Sequence, residues 1–163
     1  MCGIFPTDNA HTLTGHTSLV GLIRLSPSYL VSASADSTLK IWNPDTSELK
    51  HAISGHTGAI TCFQHDEFKV MSGSDGSLKM WDIRNGTLIR SLLTGNTMGL
   101  WQVVFQGRWC VAASTREDRA TFLDVWDFGQ EGIENPVGSQ EGDEEEKGED
   151  ISERKSAEVV RGA

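Results

Sequence analysis

No Cys-x-x-Cys pair occurs in these 163 residues, and Cys2, Cys62 and Cys110 stand far apart with no histidine at ligand spacing. That pattern argues against a zinc site and a disulfide framework, so no metal or other cofactor is expected and a reducing compartment follows. Clustered Lys and Arg are equally scarce: 14 basic residues face 23 acidic ones, for a net charge of -9. Binding a phosphate backbone needs a basic stripe, which makes nucleic acid a poor partner. The opening MCGIFPTDNAHTLTG has neither a positive n-region nor an apolar h-region. No apolar run approaches the ~18 residues of a spanning helix. The expectation is an intracellular protein, in the nucleus or cytoplasm, with no membrane partner.

What is present is unevenly distributed. Residues 130–163 carry -7 of the charge and residues 1–129 only -2. The stretch EGDEEEKGED at 141–150 sits among Gly, Ser and Pro and cannot bury enough apolar surface to offset its ordering entropy. Residues 130–163 therefore read as a disordered, solubilising acidic tail, residues 1–10 as an N-terminal extension, and residues 11–129 as the ordered part.

The ordered part repeats itself. Gly15-His16 recurs as Gly55-His56, and Trp42 recurs as Trp81. A degraded third copy begins at Gly95-Asn96 and reaches Trp126-Asp127, its extra length falling in TREDRAT. The copies span 15–54, 55–94 and 95–129. Each shows short strands of period-two alternation separated by turn residues. In the second copy strands are expected near 59–65, 68–72, 77–83 and 88–92, with DEF, SDGS and RNG as turns. Asp-Gly and Asn-Gly are strong hairpin signals because they accept positive φ. Four antiparallel strands per period of about 40 residues predict an all-β chain of three propeller blades.

The Gly-His pairs, the turn aspartates and the Trp-Asp endings resemble WD repeats, whose family forms β-propellers. The resemblance implies one hydrogen-bonded set per blade: His16, Ser32, Asp36 and Trp42 in the first, His56, Ser72, Asp75 and Trp81 in the second. The chemistry is coherent. A buried indole N–H needs an acceptor, a hydroxyl accepts it and donates onward, and a carboxylate fixes the imidazole tautomer. A Ser-His-Asp set committed in this way is not a hydrolase triad, and no G-x-S-x-G elbow is present, so no catalytic residue is assigned.

The succession HTLTGHTSL, LVSASADSTLKIW, SGSDGSLKMWD, LWQVVFQGRWCVAAS and LDVWDFG further resembles the last blades of the F-box/WD-repeat substrate receptors of SCF ubiquitin ligases, the cell-division-control type. It implies a protein-binding module of ubiquitin-dependent degradation and the cell cycle, with phosphorylated protein substrates and SCF subunits as partners. In that family arginines on the face carrying the turns between second and third strands bind phosphate. Here the equivalent slots hold Gly21 and Ala35, then Thr61 and Ser74. Arg116 is the one arginine matching a peptide-facing position, with Trp101 and Gln102 beside it. A more ordinary role for Arg116 is pairing with Glu117 or Asp118, and Trp101 reads equally as a packed strand residue. Cys62 and Cys110 read as buried small hydrophobes.

Three blades are fewer than the four to eight that close a propeller. The chain therefore reads as part of a larger propeller, without the F-box. Its last blade is expected to lack an outer strand, and its open ends are expected to favour self-association.

Overall fold

The computed structural model describes residues 10–93, 97–117 and 119–129, together with the backbone of residues 155–158. Strands β1 (Val20–Leu25), β2 (Leu30–Ser34), β3 (Leu39–Trp42) and β4 (Leu49–Ile53) form a first antiparallel sheet in that order. Strands β5 (Ile60–His65), β6 (Lys69–Ser74), β7 (Ser77–Asp82) and β8 (Leu88–Leu93) form the second. The third consists of β9 (Thr97–Gln106), β10 (Trp109–Arg116), β11 (Thr121–Asp127) and β12 (Lys155–Glu158). In the second copy the observed strands fall within two residues of those expected at every end.

The first two sheets are up-and-down meanders because their links are short and polar, and the third is one from β9 to β11, with β12 joining from residues 155–158. Gly86, at φ 74°, turns the chain between β7 and β8, and Gly107, at φ 57°, does so between β9 and β10. The sheets stack through their first strands, β5 lying against both β1 and β9. The apolar residues consequently form two cores between sheets. One joins Val31, Leu39, Ile41 and Ile53 of the first blade to Ile60, Phe63, Val70 and Trp81 of the second. The other joins Cys62, Met71, Leu78, Met80 and Leu93 of the second to Leu100, Val103, Phe105, Cys110 and Trp126 of the third. Each large apolar side chain buried there contributes roughly 1.5–3 kcal/mol, so the second blade, with a core on both faces, is the best supported. Its central strand β6 is buried along its whole length.

Close stacking fixes residue size. A Cβ on Gly73 would lie 2.2 Å from Leu100 Cδ2 and 2.6 Å from Cys62 Sγ, so the third blade can approach only over a glycine.

One expectation is corrected. The last blade does have an outer strand: β12 pairs antiparallel with β11, Phe122 opposite Glu158 and Val125 opposite Lys155. Residues 155–158 are thus part of a sheet rather than of a disordered tail. The polar sequence there concealed this, because joining an edge requires backbone donors and acceptors, not apolar side chains. The rest of the acidic segment, 130–154 and 159–163, lies outside the described residues, as do residues 1–9.

Candidate functional site

In the first blade Trp42 Nε1–H donates to Ser32 Oγ at 2.9 Å, and the Ser32 hydroxyl donates to His16 Nε2 at 2.8 Å. His16 Nδ1–H then donates to Asp36 Oδ2 at 3.0 Å. The carboxylate also accepts from the Thr17 backbone N–H, and Thr38 donates to its other oxygen from both hydroxyl and backbone N–H. Burial pushes the Asp36 carboxyl upward, but the hydrogen bonds from Thr38, Thr17 and His16 outweigh it and hold it well below the usual carboxylate range.

The second blade repeats the chain with a different end. Trp81 Nε1–H donates to Ser72 Oγ at 2.8 Å, and Ser72 donates to His56 Nε2 at 2.7 Å. His56 Nδ1 then meets Ser77 Oγ at 3.1 Å, and that hydroxyl donates to the Ser74 carbonyl at 2.9 Å. The expected contact from Asp75 to the histidine is therefore replaced by Ser77. The cause is the shortened turn. Serine and tryptophan are ten residues apart in the first blade and nine in the second. In the first blade four residues link β2 to β3, with Ser37 at φ 68°; in the second Asp75 and Gly76 alone turn the chain, at φ 33° and 72°. Positive φ at both central residues defines a type I′ turn. Its carboxylate lies over Gly58, where a Cβ would fall 1.5 Å from Asp75 Oδ2.

This arrangement leaves His56 neutral. Ser77 has spent its proton on Ser74, so Nδ1 carries hydrogen and Nε2 must accept. Burial first, and the nearby Lys79 charge second, push His56 down to about 4. Ser72 is fully buried and already engaged by indole and imidazole, so its hydroxyl has no approach for a substrate.

The third blade abandons the scheme. Register places Trp126 opposite Cys110 and Asp124 opposite Ala112, so alanine occupies the place of Ser32 and Ser72. Asp124 stands two residues before the tryptophan, where Lys40 and Lys79 stand in the other blades. It is fully buried, accepts from Ser114 Oγ at 2.9 Å and pairs with Arg116 Nη2 at 3.1 Å. The Arg116 guanidinium also lies over the Phe122 ring, 4.0 Å from its centroid. Its partner is thus Asp124, across the hairpin, rather than Glu117 or Asp118; Asp118 lies outside the described residues.

Trp101 falls on a feature that the sequence did not disclose. The first strand of every blade carries a β-bulge one residue before a paired position: at Gly21, at Thr61 and at Trp101. A bulge re-aims the side chain it carries. Thr61 uses this to donate to the Leu100 carbonyl of the next blade. The Trp101 ring is 65% exposed, with Nε1–H donating to Thr115 Oγ1 at 2.7 Å, and Gln102 beside it is exposed too.

The residue after the tryptophan of each third strand also has a role that spacing alone did not reveal. Asn43, Asp82 and Asp127 each accept, through Oδ1, the backbone N–H two residues on, from Asp45, Arg84 and Gly129. These Asx-type caps begin the turn out of the third strand. Cys62 and Cys110 are buried free thiols, and burial raises them to about 11 and about 12, so both stay protonated. Among the described residues no His, Cys, Asp and Glu group could hold a metal.

Four-stranded meanders stacked through their first strands, each of the first two tied by an indole–hydroxyl–imidazole chain, define propeller blades. The chain belongs to the WD-repeat family: residues 8–43 and 47–82 match the family described as WD domain, G-beta repeat. The match is carried by the first two blades, while the third keeps the same sheet without the polar chain. Among curated relatives, the chain is 48% identical over 122 residues to cell division control protein 4 of Candida albicans, covering 72% of this chain and 18% of that protein. It is 36% identical over 124 residues to the F-box/WD repeat-containing protein sel-10 of Caenorhabditis elegans, covering 71% of this chain and 21% of that one. The crystal structure of the computationally designed Ika4 protein superposes with a TM-score of 0.59 at 30% identity, over 71% of this chain and 69% of that one. The chain thus spans about a fifth of the length of these curated relatives.

Proposed function

We propose that this WD-repeat interaction module is the C-terminal part of a substrate-recognition subunit of an SCF ubiquitin ligase, working without catalysis of its own in the nucleus or cytoplasm. The observation that carries the reading is the 48% identity to cell division control protein 4 over 122 residues. In this reading phosphorylated proteins are captured by cationic side chains on blades outside this chain, and these three blades complete the ring and support that face. The local chemistry is consistent with a supporting role. The bulge slots hold Gly21, Thr61 and Trp101, none of them cationic, and the charge of Arg116 is matched by buried Asp124. A fully buried carboxylate strongly disfavours losing a cationic partner to a ligand, and Arg116 is such a partner of Asp124.

A second reading, a WD-repeat scaffold with some other partner, is favoured by the same non-cationic bulge slots and by the pairing of Arg116 with Asp124. Reading the complete transcript separates the two. An F-box and arginine-bearing blades in frame upstream are expected; unrelated domains upstream would sink the ligase reading.

A further inference from the structure

The third sheet runs β12-β11-β10-β9, and the blades stack through their first strands, so β12 sits at the far edge whatever covers the blade faces. It is four residues long and paired along one side only. Such a strand opens at the low end of a fold's range of local stabilities. Register sets Ala112, Asp124 and Ser156 in one row across the sheet. Directly opposed residues of an antiparallel pair share a face, with Cβ atoms about 4.5–5.5 Å apart. That face is the buried one, because the Asp124 carboxylate is fully buried, accepts from Ser114 and forms the ion pair with Arg116. Position 156 thus adjoins a buried negative charge, a place that a small neutral residue tolerates. The two residues ahead of it are Arg154 and Lys155, and no other pair of adjacent Lys or Arg residues occurs in this acidic sequence.

We propose that Ser156 is a phosphorylation site for a serine kinase that selects basic residues ahead of its target, and that the phosphate detaches β12 from β11. In the modifying step the serine hydroxyl attacks the γ-phosphorus of a nucleoside triphosphate. The new O–P bond forms as the bond to the β-phosphate oxygen breaks, the hydroxyl proton passes to the kinase's base, and a nucleoside diphosphate leaves. The phosphate adds about -1.5 to -2 of charge at neutral pH. Docked beside Asp124 it meets a like charge, and the Arg116 guanidinium there is already engaged. The docked and the phosphorylated states therefore oppose each other: the kinase modifies the open strand, and the phosphate holds it open. Detachment bares the backbone donors and acceptors of residues 122–125, an edge able to take a strand from another protein.

Hydrogen–deuterium exchange on the full 163-residue chain tests this, with phosphoserine installed genetically at position 156 or, as a control, at position 152, ahead of the strand. In the unmodified chain the edge amides among residues 122–125 are expected to be protected. Phosphate on Ser156 is expected to speed their exchange about 10-fold or more, and phosphate on Ser152 by less than about 3-fold, with the amides of buried β6 unchanged in both. Incubating the unmodified chain with a basic-directed serine kinase and magnesium ATP is expected to place phosphate on Ser156, read by peptide mass spectrometry. Unprotected edge amides in the unmodified chain, or an equal effect from Ser152, overturns the inference. So does exchange that stays the same or slows with phosphate on Ser156, as Arg116 capturing the phosphate would produce, a matching loss of protection in β6, or no incorporation at Ser156.

Discussion

Ser72 holds the polar chain of the second blade from both sides, accepting the Trp81 indole and donating to His56. Removing its hydroxyl strands a buried donor and a buried acceptor together, so Ser72→Ala is expected to cost about 1–3 kcal/mol. Urea denaturation would measure it, and a change under 0.5 kcal/mol would show that the chain is not structural. The same chain predicts a pH dependence. Folded His56 is pushed down to about 4, below its ordinary 6.5, so the folded state binds fewer protons than the unfolded one between those values. Its contribution is complete above about pH 6.5 and is lost as pH falls toward about 4. Denaturant midpoints at pH 7 and pH 4.5 are expected to differ by less in His56→Gln than in the unaltered chain; equal differences would remove His56 as the cause. Most of this was legible, because Gly-His, serine and tryptophan recur at fixed spacing. The end of the second chain was not: one deleted residue swings Asp75 onto Gly58 and leaves Ser77 facing the imidazole.

At the scale of the elements, the hairpin turns separate what sequence patterning discloses from what it conceals. Asp75-Gly76 was readable as a hairpin turn from residue type alone, and positive φ at both positions accounts for the choice. Its surroundings were not readable: a Cβ on Gly76 would lie 1.8 Å from the Thr97 carbonyl oxygen, backbone of the adjacent blade. Gly76→Ala is therefore expected to cost about 2 kcal/mol or more, from left-handed strain and from displaced backbone together. Ser37, at φ 68° without glycine, supplies the opposite case. Ser37→Gly is expected to be neutral or to stabilise by up to about 1 kcal/mol. Thermal melts of the pair decide the matter, and equal effects of the same sign would contradict the turn assignment. The bulges at Gly21, Thr61 and Trp101 and strand β12 escaped sequence reading for one reason. Both are features of backbone pairing, which side-chain periodicity does not record.

For the whole molecule, stacking is what turns three repeats into one structure. The cores lie between blades, so no blade buries its apolar residues alone, and the period of about 40 residues was enough to foresee that architecture. Function is less legible, because it depends on which side chains the bulges and turns present and which partners have already claimed them. Arg116 shows this: its position suggests a phosphate contact, and only the structure reveals buried Asp124 holding it. The central claim is that these blades are framework, with their one candidate phosphate-binding cation already matched. Calorimetric titration of the chain with a doubly phosphorylated peptide and its unphosphorylated form tests it most directly. The account predicts no phosphate-dependent binding tighter than about 100 μM; low-micromolar, phosphate-dependent affinity that disappears in Arg116→Ala would contradict it.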